Sequence, residues 1–261
     1  MSKNKFFPAT DRIIKECFNF HNEFNQKHWQ NKNSFHDANH LEATLKAGEK
    51  LIKAALKGND PLEIKKDLIK WNKKHQDNQI KQKELLEAVK LAFACHDLGN
   101  IAQKAVLDKN GEIKLLFLNQ YKAKKAELRS QKISQIIIEN LSKKKKLLPF
   151  IKYLIKETEL EPQGRKPFGL FARVTDQIGA GLFNKNKKRL LGLLEEIYAE
   201  NPEAIFSPFP FFNFIRGSFQ ILIPEKAKRT AVLKIWNKEL PKKEGKFSKQ
   251  QIKVEDFLNN I

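Results

Sequence analysis

Cysteine is nearly absent: Cys17 and Cys95 are the two thiols in 261 residues. Two cysteines cannot build the cross-linked framework of a small secreted scaffold. Cys95 also lies in an apolar run beside His96, so a reducing compartment, the cytoplasm, is expected. Glycine and proline are sparse, at 11 and 10. Strands and tight turns need that punctuation, so long helices are the natural reading. No run of about 18 uncharged apolar residues occurs, which excludes an ordinary membrane-spanning helix. The basic start, Met1 to Pro8, is followed by no apolar h-region, so no secretory signal is expected. Histidine is missing after His96, which limits the imidazoles that any site can gather.

What is present is enough apolar residue, 41% of the chain, for one large core. Fifty basic residues against thirty acidic ones leave a net charge of +20. Such an excess suits polyanions: nucleic acid, phosphorylated substrates or an acidic membrane surface. The excess is mostly lysine scattered along helix faces, whereas arginine is the preferred bidentate reader of phosphates and bases. A solvated lysine-rich surface is the plainer reading.

Apolar periodicity predicts helices over 9–30, about 36–57, 62–72, 84–98, 119–141, 147–158, 168–183, 187–198 and 225–238. Residues 107–118, with a turn at Asp108 to Gly111, suggest a small hairpin. The inward face of 119–141 would hold Leu128, Ile133, Ile136, Ile137 and Leu141. In the 62–72 segment Leu62, Ile64, Leu68, Ile69 and Trp71 would pack. His21, His28 and His75 sit in polar surroundings and read as surface histidines. Composition shifts after Asn201, so the chain divides into a main domain over 1–200 and a Phe-rich, basic C-terminal extension over 201–261 packed on it.

Several polar residues stand where they are expensive. Leu91 to Asn100 is an apolar run that carries His96 and Asp97 and stops at Gly99, which is placed to cap a helix. Asp176 falls inside another apolar stretch. Burying such a charge costs several kcal/mol unless it is paired or bound to a metal. His36 and His40, four apart, would share one face if both are helical. Two imidazoles and two carboxylates suit a divalent ion, Mn, Mg, Fe, Co, Ni or Zn. The plainer alternative is that each is a satisfied core polar group.

On these residues the sequence resembles the HD-domain superfamily of metal-dependent phosphohydrolases. That signature is a first His, a vicinal His-Asp and a distant Asp, here His40, His96-Asp97 and Asp176. Phe35-His-Asp-Ala-Asn-His40 resembles the Tyr-His-Asn-x-x-His run of the branch shared with cyclic-nucleotide phosphodiesterases, with Phe for Tyr and Asp37 for Asn. Glu127-Leu-Arg-Ser130 is similar to a Glu-x-x-Ser segment of bacterial relatives. Val174 to Gly181 is similar to the family's Ala-Asp segment. Asn100 stands where relatives often keep His or Lys. The resemblance spans about residues 10–200.

The resemblance implies an all-α, HD-domain or PDEase-like helical bundle. It implies hydrolysis of a phosphomonoester or phosphodiester, of a nucleotide or cyclic nucleotide. His40, His96, Asp97 and Asp176 would be metal ligands, with one ion expected and a second left open. Catalysis would fall to His36 as general acid, to Asp97 and to Glu127. The metal would lower the pKa of water for in-line attack on phosphorus while His36 protonates the leaving oxygen. Arg165 and Lys166 would hold further phosphates, although surface charge is the plainer reading of both. The alternative function is a non-catalytic basic module on the same scaffold, binding nucleic acid or an acidic membrane surface.

Overall fold

The computed structural model describes residues 8–30, 35–142, 144–159, 166–183, 189–201, 203, 205–206, 211–240 and 252–253. The described chain is mostly helical. In order it forms α1 (Pro8–His28), α2 (Ala38–Leu56), α3 (Ile64–Lys74), α4 (Gln82–Cys95), α5 (Leu98–Ile101), β1 (Ala102–Leu107), β2 (Ile113–Phe117), α6 (Ala126–Leu141), α7 (Leu148–Lys156) and α8 (Gly169–Arg173). A π-helical segment, Val174–Gly179, leads into α9 (Ala180–Phe183). Then follow α10 (Arg189–Glu200), β3 (Ile205–Phe206), α11 (Phe211–Leu222), α12 (Lys226–Trp236) and β4 (Ile252–Lys253). The antiparallel β1–β2 hairpin and the short β3–β4 pair are the sheets among the described residues.

α4 is the central rod, and it touches α1, α2, α6 and α7. Its composition explains this: Leu85, Ala88, Val89, Leu91, Ala92, Phe93, Ala94 and Cys95 are all buried. A helix apolar on every side can only lie inside a bundle. α1 presents Ile13, Cys17, Phe20 and Phe24 to it at helical spacing, and these are buried too. Glycine lets α2 approach the π segment. A Cβ on Gly179 would lie 2.4 Å from the Ala47 methyl carbon.

The entry to the α8–α9 stretch is built by a buried carboxylate. Phe168 sits at φ 60 with its side chain buried. Left-handed backbone costs a bulky residue about 1–2 kcal/mol. Asp67 on α3 accepts the Phe168 N–H at 2.8 Å, and a buried hydrogen bond to a charged group is worth about that much.

Beyond residue 200, α11 packs on the π-helical segment and α12 on α2. Trp236 is fully buried and donates from Nε1 to the Ala47 carbonyl at 3.1 Å. Phe219, Ile223 and Val232 are buried with it.

Three expectations change. The helix predicted from 119 starts at Ala126, and Leu128 is 49% exposed while Ile138 takes the inward place. The helix starts late because Lys125 adopts a left-handed conformation, φ 61, and that sets the phase of the whole face. Ile69 points outward, at 69% exposed, because α3 buries Leu68 and Trp71 on its other side. Gly99 does not cap a helix C-terminus. It lies inside α5, where a Cβ would meet the Ala126 carbonyl oxygen at 1.9 Å. Its role is close approach, not left-handed backbone.

Candidate metal centre

α2 supplies His40. The helix begins one residue after Asp37, whose Oδ1 accepts the His40 N–H at 2.8 Å. Asp is among the strongest N-cap residues, so Asp37 fixes the start of α2 and the His40 backbone. The cap also leaves His36 outside the helix. His36 and His40 therefore do not share a helical face, yet their rings lie 5.4 Å apart.

α4 supplies His96 at its C-terminal end, and Asp97 lies in the break before α5. Asp176 comes from the π-helical segment. An extra residue in a helical turn displaces side chains from their α-helical phase, and such turns recur at functional sites.

These four side chains converge. His40 Nε2 is 3.0 Å from Asp97 Oδ2 and 3.0 Å from Asp176 Oδ1. His96 Nε2 is 3.0 Å and 3.1 Å from the same two oxygens. His40, His96 and Asp176 form a group that could hold a metal ion. Asp97, also predicted as a ligand, is not a member of that group but lies beside it, with Oδ2 3.0 Å from both imidazoles and 7% exposure.

The donor set fits a divalent cation for three reasons. His96 Nδ1 lies 2.8 Å from the Phe93 carbonyl, which can only accept, so that nitrogen carries the proton. Nε2 then faces two carboxylate oxygens, an arrangement that demands a positive charge there, supplied by a proton on the ring or by a bound cation. Second, Asp97 Oδ2 is buried with no backbone or amide donor, and the two imidazole Nε2 atoms at 3.0 Å are its polar neighbours. Third, the other Asp97 oxygen is fixed by Asn100, whose Nδ2 donates to Oδ1 at 3.0 Å. A ligand held by such an outer partner is oriented for coordination.

Protonation reports the same demand. Burial would lower the pKa of His96, but Asp97 and then Asp176 outweigh it and hold it well above the ordinary value. Burial would raise both carboxyls, yet the facing imidazoles hold Asp97 and Asp176 well below the carboxylate range.

His36 stands beside this group with a partner that the sequence did not disclose. Its Nδ1 lies 2.5 Å from Glu196 Oε2 on α10. Glu196 Oε1 accepts the backbone N–H groups of Phe35 and His36 at 2.7 and 3.0 Å. Burial pushes the His36 pKa down, but the charges of Glu196 and Asp97 and the hydrogen bond to Glu196 raise it to about 9. Its side chain keeps 22% of its exposure, so the ring can meet a ligand. Glu196 was hidden because a Glu in an amphipathic helix carries no signal of its own. The Asn100 amide was visible, but only as a departure from the family pattern.

His21, expected at the surface, is 1% exposed. The polar residues around it in sequence face outward, while its own helical position faces the core. Its Nδ1 donates to the His36 carbonyl at 3.0 Å, and Tyr121 donates to the same oxygen at 3.1 Å. Burial drives the His21 pKa down to about 4, so it supports the loop as a neutral imidazole. His28 stacks on Phe24 and His75 on Trp71, with ring centroids 5.5 and 3.7 Å apart.

Glu127 lies in the first turn of α6, half-buried, and is not part of the converging group. Burial raises its pKa, and Asp97 and His96 are both close enough to act on it. Ser130, one turn on, accepts the Gly99 N–H at 2.7 Å. Lys166 lies in the turn before α8, where its charge acts on Glu157. Arg165 lies outside the described residues. No helix is long and apolar enough to cross a membrane among the described residues. Comparison with protein-family models, curated proteins and solved structures finds no match.

Proposed function

We propose that this chain is a metal-dependent phosphohydrolase of the HD type, acting on a phosphomonoester or phosphodiester, with a nucleotide or cyclic nucleotide as the substrate class. The observation that carries the proposal is the convergence of His40, His96, Asp97 and Asp176 beside a His36–Glu196 pair. His40, His96, Asp97 and Asp176 would hold a divalent ion, which when bound supplies Lewis acidity toward water and neutralises phosphoryl charge.

The chain's own residues do the rest. Asn100 keeps Asp97 aimed inward, and the Phe93 carbonyl keeps His96 in the tautomer that offers Nε2. Asp37 caps α2 and thereby fixes the His40 backbone. Glu196 holds the His36 ring by Nδ1, which leaves Nε2 to carry the proton delivered to the leaving oxygen. A pKa raised to about 9 keeps that proton in place at neutral pH, the state that a general acid needs. Glu127 would contribute to a second ion, if one binds. The free thiols of Cys17 and Cys95 suit a reducing compartment, and we place the protein in the cytoplasm on that ground.

The test is elemental analysis of the purified protein, with hydrolysis of bis-p-nitrophenyl phosphate screened across Mn, Mg, Ni, Co and Zn. His96→Ala and Asp176→Ala should lose both bound metal and turnover. Wild-type turnover in either metal-free variant would refute the proposal.

A further inference from the structure

A second feature of the molecule lies away from the four converging side chains. Between the hairpin and α6 is a cleft of about 470 Å³, lined by Gln103, Lys122, Lys124, Lys125, Leu128, Arg129 and Lys132. No carboxylate lines it. Some lysines elsewhere keep acidic partners, as in Lys27–Glu23, Lys53–Glu49, Lys114–Asp108 and Lys144–Glu87, while others stand alone on exposed helix faces, as Lys73 and Lys74 do on α3. Among the described residues, the ammonium groups of Lys122, Lys124, Lys125 and Lys132 have no such partner.

The wall is built, not draped. Arg129 donates from Nε to the Gly99 carbonyl at 2.7 Å, from one terminal nitrogen to the Lys124 carbonyl at 2.6 Å, and from the other to the Lys122 carbonyl. Glu200 accepts the Ala123 and Lys124 N–H groups from the far side at 3.1 and 3.0 Å. The Lys122 N–H is bonded to the Asn100 carbonyl at 3.0 Å. The segment is thus pinned at every turn, and its lysines project from fixed backbone. Lys125, Arg129 and Lys132 also fall on one face of the α6 region, at spacings of four and three.

We propose that this cleft binds the phosphate backbone of a single-stranded nucleic acid. Four unpaired ammonium groups on a concave wall call for a chain of negative charges. The volume belongs to the class of ligand pockets and is too small to admit a duplex. Leu128, 49% exposed, offers apolar surface to sugars and bases. No aromatic ring lines the cleft, so base stacking contributes little, and recognition is electrostatic and indifferent to sequence. Concavity argues against a bilayer, which meets protruding rather than recessed surface. The site does not depend on the metal reading. Where both hold, Asn100 links them, since it accepts from the cleft wall and donates to Asp97, and the substrate class becomes a phosphodiester within a single strand.

The test is fluorescence anisotropy of labelled dT12 with the full-length protein at 50 and 200 mM salt. Four neutralised phosphates predict a log–log salt slope near −3, roughly a 50-fold loss across that range. The quadruple variant K122Q/K124Q/K125Q/K132Q should bind at least about tenfold more weakly at 50 mM and flatten the slope toward zero. The control K66Q/K70Q/K73Q/K74Q, which removes the same charge from exposed positions of α3, should stay within about threefold of the wild type. Equal losses in both quadruple variants would overturn the proposal in favour of net charge alone. So would failure of the wild type to bind at 50 mM, or cleft-dependent binding to phosphatidylserine vesicles in place of dT12. Asp176→Asn should leave the slope unchanged, so that failure of the metal reading and failure of this one give different results.

Discussion

Gly99→Ala should be among the most damaging single-methyl additions in this protein. The new Cβ would stand 1.9 Å from the Ala126 carbonyl oxygen and 2.7 Å from the Ser130 nitrogen. Both obstacles are backbone, which cannot swing aside as a side chain can. Reaching ordinary contact, which begins near 3.4 Å, requires α5 and α6 to part by about 1.5 Å. Overpacking of a tight core costs about 1–3 kcal/mol. The same separation breaks the bond from the Gly99 N–H to Ser130 Oγ, and orphaning a buried donor costs about another 1–3 kcal/mol. The sum, about 2–6 kcal/mol, reaches the range where a marginally stable domain loses most of its stability.

Urea unfolding followed by circular dichroism measures this directly. Ser130→Ala alone should cost about 1–3 kcal/mol, the hydrogen-bond share. The double variant should fall short of additivity, because both changes act on one contact. Gly111→Ala is the control: its φ of 77 makes alanine strained, but nothing lies within 4 Å, so about 1 kcal/mol is expected. A Gly99→Ala cost below that of Gly111→Ala would refute the close approach of α5 to α6.

Other perturbations follow from the same structure. Glu196→Gln should lower the His36 pKa from about 9 toward the ordinary value of 6.5, readable as the imidazole titration by NMR. Because the folded value is raised, the stability that His36 contributes is complete below pH 6.5 and lost as pH rises through about 9; in the variant that loss shifts to lower pH. His21 has the opposite sign: with a folded pKa of about 4, the unfolded chain binds its proton first, so stability should fall as pH drops from 6.5 to 4, by up to roughly 3 kcal/mol. His21→Leu should remove that slope, whatever it does to the baseline. Trp236→Ala should cost about 3–5 kcal/mol and lower the single unfolding transition; a separate early transition would mean that the chain beyond residue 200 folds as its own unit.

Much of this architecture was legible because helices write their burial into spacing. α4 was evident from its unbroken apolar run, and the hairpin from the turn at Asp108 to Gly111. His96, Asp97 and Asp176 were conspicuous because charge inside apolar sequence is costly, and cost is visible in composition. What stayed hidden depends on contacts between distant segments. Glu196 becomes a partner of His36 only when α10 lies against the loop before α2. His21 is buried by a helical phase that its polar neighbours mask. Leu128 faces outward because one left-handed residue, Lys125, resets the start of α6, and no periodicity announces that.

The π-helical segment Val174–Gly179 behaves as a phase shifter. Each residue of an α-helix turns the chain by about 100°. Phe171 before the segment and Ala180 after it are both buried, and each piece keeps its own seat in the bundle. The surplus residue between them absorbs the mismatch and swings Asp176 toward His40 and His96. Deleting one residue there would let the two pieces anneal into a regular helix, at the expense of either the carboxylate's bearing or the seat of Gly179 against Ala47. The bundle thus carries a vernier: its packing can be preserved while the reach of one side chain is set by a single residue's worth of winding.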